Sequence, residues 1–237
     1  AVDALSPKNV FGVGMPSKYS SEHSLADARE LASNTGLNYS EEPIENVVQA
    51  MMGQLPLDGL AAENLQSRVR ALFLMGLSNQ DGHLVLTTGN KTELAVGYST
   101  IYGDSVGGFA PVKDVEKGLV WELARYRNKL AESLGQTPPI PESSITKPPS
   151  AELRPNQLDQ DSLPDYEQLD RLLELHIEQK LSASEIVERG FDKELVESVL
   201  KMVRSSEWKR RQGAIGPRIT KLAFGRERRM PITYLPN

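Results

Sequence analysis

A chain of 237 residues, 39% hydrophobic and 25% charged, has enough apolar material for one large α/β domain or for one domain with a smaller helical part. With no cysteine it holds no disulfide, no Cys-ligated zinc and no thiol nucleophile, which agrees with a cytoplasmic setting. A net charge of −5 argues against bulk nucleic-acid binding, and no apolar run reaches the ~18 residues that a membrane span needs.

In chain order, AVDAL at residues 1–5 begins mid-pattern and reads as part of something longer. Asn9–Met15 predicts a short buried strand, followed by a polar turn at Pro16–Ser21. Glu22–Thr35 places Leu25, Ala28, Leu31 and Ala32 on one helical face, and Gly36 suits its stop. Leu37–Ile44 reads as a second strand and Glu45–Leu55 as a helix. Ala61–Leu77 is a strong helix with Leu65, Val69, Leu72, Phe73 and Leu77 expected inside. A third strand is predicted at His83–Leu86, running into the polar turn Thr87–Asn90 and a short helix carrying Lys91 and Glu93. Asp114 is expected to cap a helix that reaches Gly135, with Val115, Leu119, Leu123 and Tyr126 inward.

Gln136–Ser150, with five prolines, reads as a loop or linker. Beyond it, Tyr166–Leu181 is amphipathic, Ser182 and Glu185 form a capping box for a short helix ending near Gly190, and Asp192–Arg211 is a last helix. Glu207–Met230 holds eight Lys/Arg against two Glu, a balance of +6, so the rest of the chain carries −11. Such a tail is a solvated surface, a segment packed on the acidic body, or a face for a polyanion. Strands alternating with helices imply an α/β fold: a parallel sheet flanked by helices, with a helical C-terminal part. The domain reading is a nucleotide-binding core at 1–135, a Pro-rich loop at 136–165 and a helical part at 166–237.

The stretch from Gly82 to Asp104 concentrates the chemistry. A turn between a strand's C-terminal end and a helix N-terminus is where open α/β sheets bind ligands, and the helix start favours phosphate. Here the turn adds hydroxyls, an ammonium and a carboxylate, a mixture suited to a phosphate chain with its metal. The plainer alternative is a tight turn permitted by Gly89 and Asn90. Asn64 and Arg68, four apart, share a helical face that is either ligand-facing or an exposed polar stripe. Lys117 lies in a first helical turn, where a cation opposes the helix dipole and calls for a reason. Ser150 ends the proline loop with a hydroxyl, and Lys209 belongs to a basic helix end that is an ordinary dipole complement. His23, His83 and His176 have no ligand-like spacing.

Together VLTTGNKTELAVGYSTIYGD, GGFAPVKDV, ELARYRN, SAELRPNQ, DSLPDYEQLD, SSEWKRRQ and FGRERRMPIT resemble the synthetase domain of bacterial glutamine-dependent NAD synthetases. The resemblance implies an ATP-pyrophosphatase fold with strand order 3-2-1-4-5. It implies that ATP adenylates deamido-NAD and that ammonia from a glutaminase domain then displaces AMP, with Mg2+ neutralising the triphosphate. By the same resemblance Thr88 and Ser150 contact ATP, with Arg68 a further contact. Asn64, Glu93, Tyr98, Ser99, Thr100, Ile101 and Lys209 hold deamido-NAD, and Lys117 and Glu93 take catalytic roles, Glu93 being alternatively a Mg2+ ligand. Ile101 and Gly108 stand where ammonia-dependent relatives carry lysine and aspartate, which points to the glutamine-dependent branch. The partners implied are deamido-NAD, ammonia and further copies of the chain, without nucleic acid or membrane.

The family's SGGxDS phosphate loop does not occur, and AVDAL resembles the helix after it. The expectation is that the 237 residues alone do not adenylate deamido-NAD, and that a partner chain or strand collapse fills the central slot. Two other readings are a nucleotide-binding or assembly module without catalysis, and a sister ligase such as GMP synthetase. The TTGNKTE-to-YGD run and the RRMPIT tail speak against the sister ligase.

Overall fold

The computed structural model describes residues 1–233. By contact density the chain forms two compact units that interleave in sequence, one of Ala1–Leu77 with Trp121–Asp161, the other of Ser78–Val120 with Ser162 onward.

In the first unit a short helix α1 (Val2–Leu5) precedes β1 (Phe11–Gly14). The helix α2 (Glu22–Thr35) runs over the residues its periodicity predicts, with Ser21 capping it through an acceptance from Ser24 N and Gly36 closing it at φ 68°. β2 (Asn38–Glu41) pairs parallel with β1, Phe11 opposite Asn38 and Gly14 opposite Glu41, and is β1's one strand neighbour among the described residues. The helices α3 (Glu45–Gln54) and α4 (Gly59–Asp81) come next. Ile44, Val48, Leu65 and Val69 make the buried centre, with Met15 and Phe73 packed against it. Leu72 departs from the predicted face and is 65% exposed, because a helix as long as α4 changes surroundings along its length.

In the second unit the predicted strand at His83–Leu86 is not formed. Leu86 makes a single parallel bridge to Phe109, which in turn bridges Ile215, so three extended segments meet one residue deep. Leu84 is 67% exposed, and the apolar run there is too poorly covered to extend the ladder. The turn then leads into α5 (Lys91–Val96), and α6 (Lys117–Ser133) starts after a further loop. Asp114 does not cap α6, its carboxylate being taken up elsewhere. Leu119 here, and Leu123 and Tyr126 on the part of α6 that belongs to the first unit, all predicted inward, are 37%, 47% and 65% exposed, whereas Val115 is buried. Periodicity marks an apolar face without saying whether anything covers it.

The proline loop holds a short helix, α7 (Glu142–Thr146), that five nearby prolines obscured. Farther on, α8 (Tyr166–Leu173) ends sooner than predicted and passes into a π-helical turn at Glu174–Glu178. α9 (Ala183–Glu188) carries the expected capping box, and α10 (Lys193–Ser205) is capped by Asp192. The predicted last helix breaks at Ser206, and α11 (Glu207–Arg210) resumes after it. Leu169 and Leu172 of α8, Ile186 of α9, and Val196 and Val199 of α10 are fully buried and form this unit's core, on which α5 rests.

The Glu93–Lys117 site around a short helix

The start of α5 is fixed by a reciprocal cap. Asn90 Oδ1 accepts from Glu93 N at 3.0 Å, and Glu93 Oε2 accepts from Asn90 N at 3.2 Å. That leaves Glu93 Oε1 to meet the Lys117 ammonium at 3.0 Å. The Lys117 Nζ also lies 5.1 Å from the Tyr166 ring centroid. A cation on the first residue of α6 therefore has local compensation for the unfavourable helix dipole. Thr88 is exposed on the turn two residues before Asn90.

The C-terminal end of α5 is closed by Gly97 at φ 73°, where an added Cβ would stand 2.0 Å from Ser206 Oγ. Lys209 Nζ donates to Gly97 O at 2.8 Å and Ser99 O at 2.7 Å, and Arg210 donates to Leu94 O and Ala95 O. The basic helix end thus serves the carbonyls of a neighbouring helix as well as its own. Thr100 N donates to Asp104 Oδ1 at 2.7 Å, and Ile101 is buried under this turn. Tyr98 N and Gly97 N both donate to Glu93 O, closing the end of α5. A small cleft opens beside the turn, lined by Thr87, Gly89, Glu93, Ser99, Asp104 and Lys113 among others. Burial lowers the Lys113 ammonium from its ordinary value, against the charge of Asp114.

Beneath this rim lies a charged cluster that sequence reasoning missed. The Lys91 ammonium, 3% exposed, lies 2.7 Å from Glu178 Oε1, 2.7 Å from Thr220 Oγ1 and 3.3 Å from Asp114 Oδ1. Asp114 also accepts from Ile219 N and Thr220 N at 2.7 Å each. Burial works to raise its carboxyl, but these donors and Lys91 outweigh that and hold it below its ordinary value. The basic tail is thereby packed on the unit, through Ile219 and Thr220 on Asp114 and Arg210 on the Leu94 and Ala95 carbonyls, while inside the tail Arg210 and Arg211 pair with buried Glu207 and Arg218 lies 3.5 Å from Glu227. Asp114 and Asp170 stand in the motifs GGFAPVKDV and DSLPDYEQLD, so their positions were visible in the sequence although their partners were not.

Glu116 is pushed up to about 7, by burial first and then by the charges of Asp170, Glu178 and Glu174, against the pull of Lys91. An acid raised in the folded state contributes stability that is full below its unfolded value of 4.5 and lost as pH rises through about 7. Glu116→Gln should flatten the decline of unfolding free energy between pH 4.5 and 7, read by urea titration across that range. An unchanged slope would show that Glu116 ionises normally.

The remaining sequence-predicted residues lie in the first unit. Asn64 is half-buried and Arg68 exposed on α4. Ser150 Oγ accepts from Glu152 N at 3.1 Å. The Glu152 carboxylate sits at the start of α2, accepting from Ser21 N and from the Ser21 and Ser24 hydroxyls. In the second unit His176, one of the three histidines, is held by Leu181 O and faces Arg228. No cluster of three or more His, Cys, Asp or Glu able to hold a metal occurs among the described residues. No helix among them is long and apolar enough to cross a membrane.

Comparison with known proteins places the chain in a family. The profile of the NAD synthase family matches residues 1–213, and the chain belongs to that family. It is 54% identical to a glutamine-dependent NAD(+) synthetase of Acinetobacter baylyi over 98% of this chain and 43% of that protein. It is 49% identical to the one of Aquifex aeolicus over 98% and 41%. The chain thus spans less than half the length of these relatives. Among solved structures it is similar to the glutamine-dependent NAD+ synthetase of Acinetobacter baumannii in complex with ADP, with 49% identity and a TM-score of 0.60 over 98% of this chain and 42% of that one. The NH3-dependent NAD synthetase of Campylobacter jejuni, in complex with nitrate, gives 26% identity and a TM-score of 0.67 over 88% and 77%. These matches bear out the α/β fold and the family resemblance, and they set aside GMP synthetase.

Proposed function

We propose that this chain is the synthetase part of a glutamine-dependent NAD synthetase, a carbon–nitrogen ligase that converts deamido-NAD to NAD. ATP activates the nicotinate carboxylate as an acyl-adenylate with release of pyrophosphate, and ammonia displaces AMP. In this reading 1–135 is the nucleotide-binding core, 136–165 the connecting loop and 166–237 the helical part of the same domain. Ammonia comes from a glutaminase domain, and the protein works in the cytoplasm as a homo-oligomer. The observation that carries the proposal is the Glu93–Lys117 pair, 3.0 Å apart beside the hydroxyl-bearing turn at Thr87–Asn90.

The chain's own groups have distinct tasks. The Lys117 ammonium, held by a carboxylate and an aromatic face, meets the charge that develops on pyrophosphate as it leaves. Thr88 supplies an exposed hydroxyl to ATP, and Ser150 and Arg68 are further ATP contacts. Asn64, the Tyr98, Ser99, Thr100 and Ile101 turn and Lys209 hold deamido-NAD, Lys209 also bonding the carbonyls of Gly97 and Ser99. Magnesium fits this donor set: it binds through one or two carboxylates together with substrate phosphates, and Glu93 offers the carboxylate. When bound it would neutralise the triphosphate.

The test is to supply the protein expressed from its complete reading frame with ATP, Mg2+, deamido-NAD and ammonium. NAD, AMP and pyrophosphate should form in equal amounts. Binding of deamido-NAD without any NAD formation would favour the non-catalytic module instead.

A further inference from the structure

We propose that Thr92 and Asp170 form a positioning clamp that sets the distance between Glu93 and Lys117, a role resting on the reading of that pair as ligand-facing. Three helices meet at this clamp. Thr92 follows Lys91 in α5 and immediately precedes Glu93. Its Oγ1 accepts from Lys117 N, the first amide of α6, at 3.0 Å. The same hydroxyl donates to Asp170 Oδ1 on α8. Asp170 Oδ2 in turn accepts from Gly118 N, the second amide of α6, at 2.8 Å. One hydroxyl and one carboxylate therefore hold the backbone on either side of the ion pair: the residue before Glu93, the amide of Lys117 and the amide after it.

The clamp is buried, with Thr92 at 0% and Asp170 at 9% exposure, so water does not compete for its donors and acceptors. Burial raises the Asp170 carboxyl, against the hydrogen bonds from Thr92 and from the Gly118 and Lys117 backbone, which favour its charged form. Tyr166, one helical turn before Asp170 on α8, presents the ring beneath the Lys117 ammonium, so α8 fixes both the backbone and the head group of that lysine. Gly118 belongs to the design as well. A Cβ there would stand 3.2 Å from Asp170 Oδ2 and crowd the carboxylate it serves.

An ordinary N-cap supplies its acceptor from the residue just before the helix. Here the acceptor for Lys117 N comes from the residue adjacent to Glu93, so capping α6 and placing the ion pair are one act. Loss of the clamp should therefore change the Glu93–Lys117 separation more than it changes ground-state binding of the dinucleotide, because a shift of about 1 Å in a reacting group costs roughly 10²-fold in rate.

The experiment compares Thr92→Val, Thr92→Ser, Asp170→Asn and Gly118→Ala in the protein expressed from its complete reading frame, by steady-state kinetics, circular dichroism and crystal structures. Valine keeps the shape and deletes the hydroxyl; asparagine offers one acceptor where two are used. Thr92→Val and Asp170→Asn should lower kcat by roughly 10²-fold, leave the KM for deamido-NAD nearly unchanged and lengthen the Glu93–Lys117 contact beyond 3.0 Å. Thr92→Ser, which restores the hydroxyl, should restore the rate. If the first two variants do not fold, Gly118→Ala, which only displaces the carboxylate, should still give a lowered kcat at constant KM. Variants that melt earlier yet keep kcat and the 3.0 Å contact would overturn the clamp and leave a purely structural cap. If Lys117→Ala is itself fully active, the ligand-facing reading of the pair fails, and the clamp's role in catalysis fails with it.

Discussion

Replacing Lys91 by methionine is expected to cost the fold about 3–5 kcal/mol, the range for removing one partner of a buried charge pair. Lys91 is 3% exposed and its partners Asp114 and Glu178 are 1% and 18% exposed, so none of the three is well hydrated. Methionine fills a similar volume but leaves two carboxylates facing each other without a cation. Thr220 also loses a donor. Backbone donors from Ile219 and Thr220 keep part of the Asp114 charge satisfied, which guards against complete unfolding. The lowered Asp114 carboxyl contributes stability that is present above its ordinary value of 3.8 and is lost as pH falls through the lowered one. Without Lys91 that contribution shrinks, so acid unfolding of the variant should begin at a higher pH. Urea unfolding at neutral pH, followed by circular dichroism, measures the loss. A change below about 1 kcal/mol would place the pair in the range of solvent-screened ion pairs.

In the protein expressed from its complete reading frame, Lys117→Ala should lower kcat for NAD formation by about 10²–10³-fold, the effect of deleting one preorganised electrostatic donor. The side chain is held on both sides, by Glu93 Oε1 at 3.0 Å and by the Tyr166 ring at 5.1 Å, so its ammonium reaches the reaction with little reorganisation. If it acts on charge that develops as pyrophosphate leaves, kcat and kcat/KM fall together while the KM for deamido-NAD stays close to wild type. Lys117→Arg should recover only part of the rate, since a planar guanidinium cannot keep the same approach to Glu93 and the ring. A variant with raised KM and unchanged kcat would reassign Lys117 to ordinary substrate binding.

The local rules were legible where a residue acts on its own neighbourhood. The helix at Glu22–Thr35 and its Gly36 stop come from spacing and capping chemistry alone, and so does the box at Ser182 and Glu185. Coverage was not legible. Leu72, Leu123 and Tyr126 sit on apolar stripes, yet they are exposed, because a stripe records what could be buried and not what arrives to bury it. The His83–Leu86 segment has strand composition but one bridge, since a ladder needs a partner from elsewhere in the chain. For the site, the turn before α5 and the oddly placed Lys117 could be read directly, and the motif resemblance named the family. The Lys91, Asp114 and Glu178 cluster and the Thr92–Asp170 bond could not, because their members are far apart along the chain and no spacing rule joins them.

The π-helical turn at Glu174–Glu178 makes the length of this stretch a functional quantity. Such a widened turn holds one residue more than the α-helical turn of about 3.6, so deleting a residue inside it would let it close with the flanking residues near their present phase, whereas a deletion in the regular turns of α8 would swing everything beyond it by about 100°. Glu178 would then be carried off the Lys91 ammonium that it meets at 2.7 Å. Substitutions here are read through their side chains, but insertions and deletions in those regular turns act as a rotation of the whole anionic arm beneath the site.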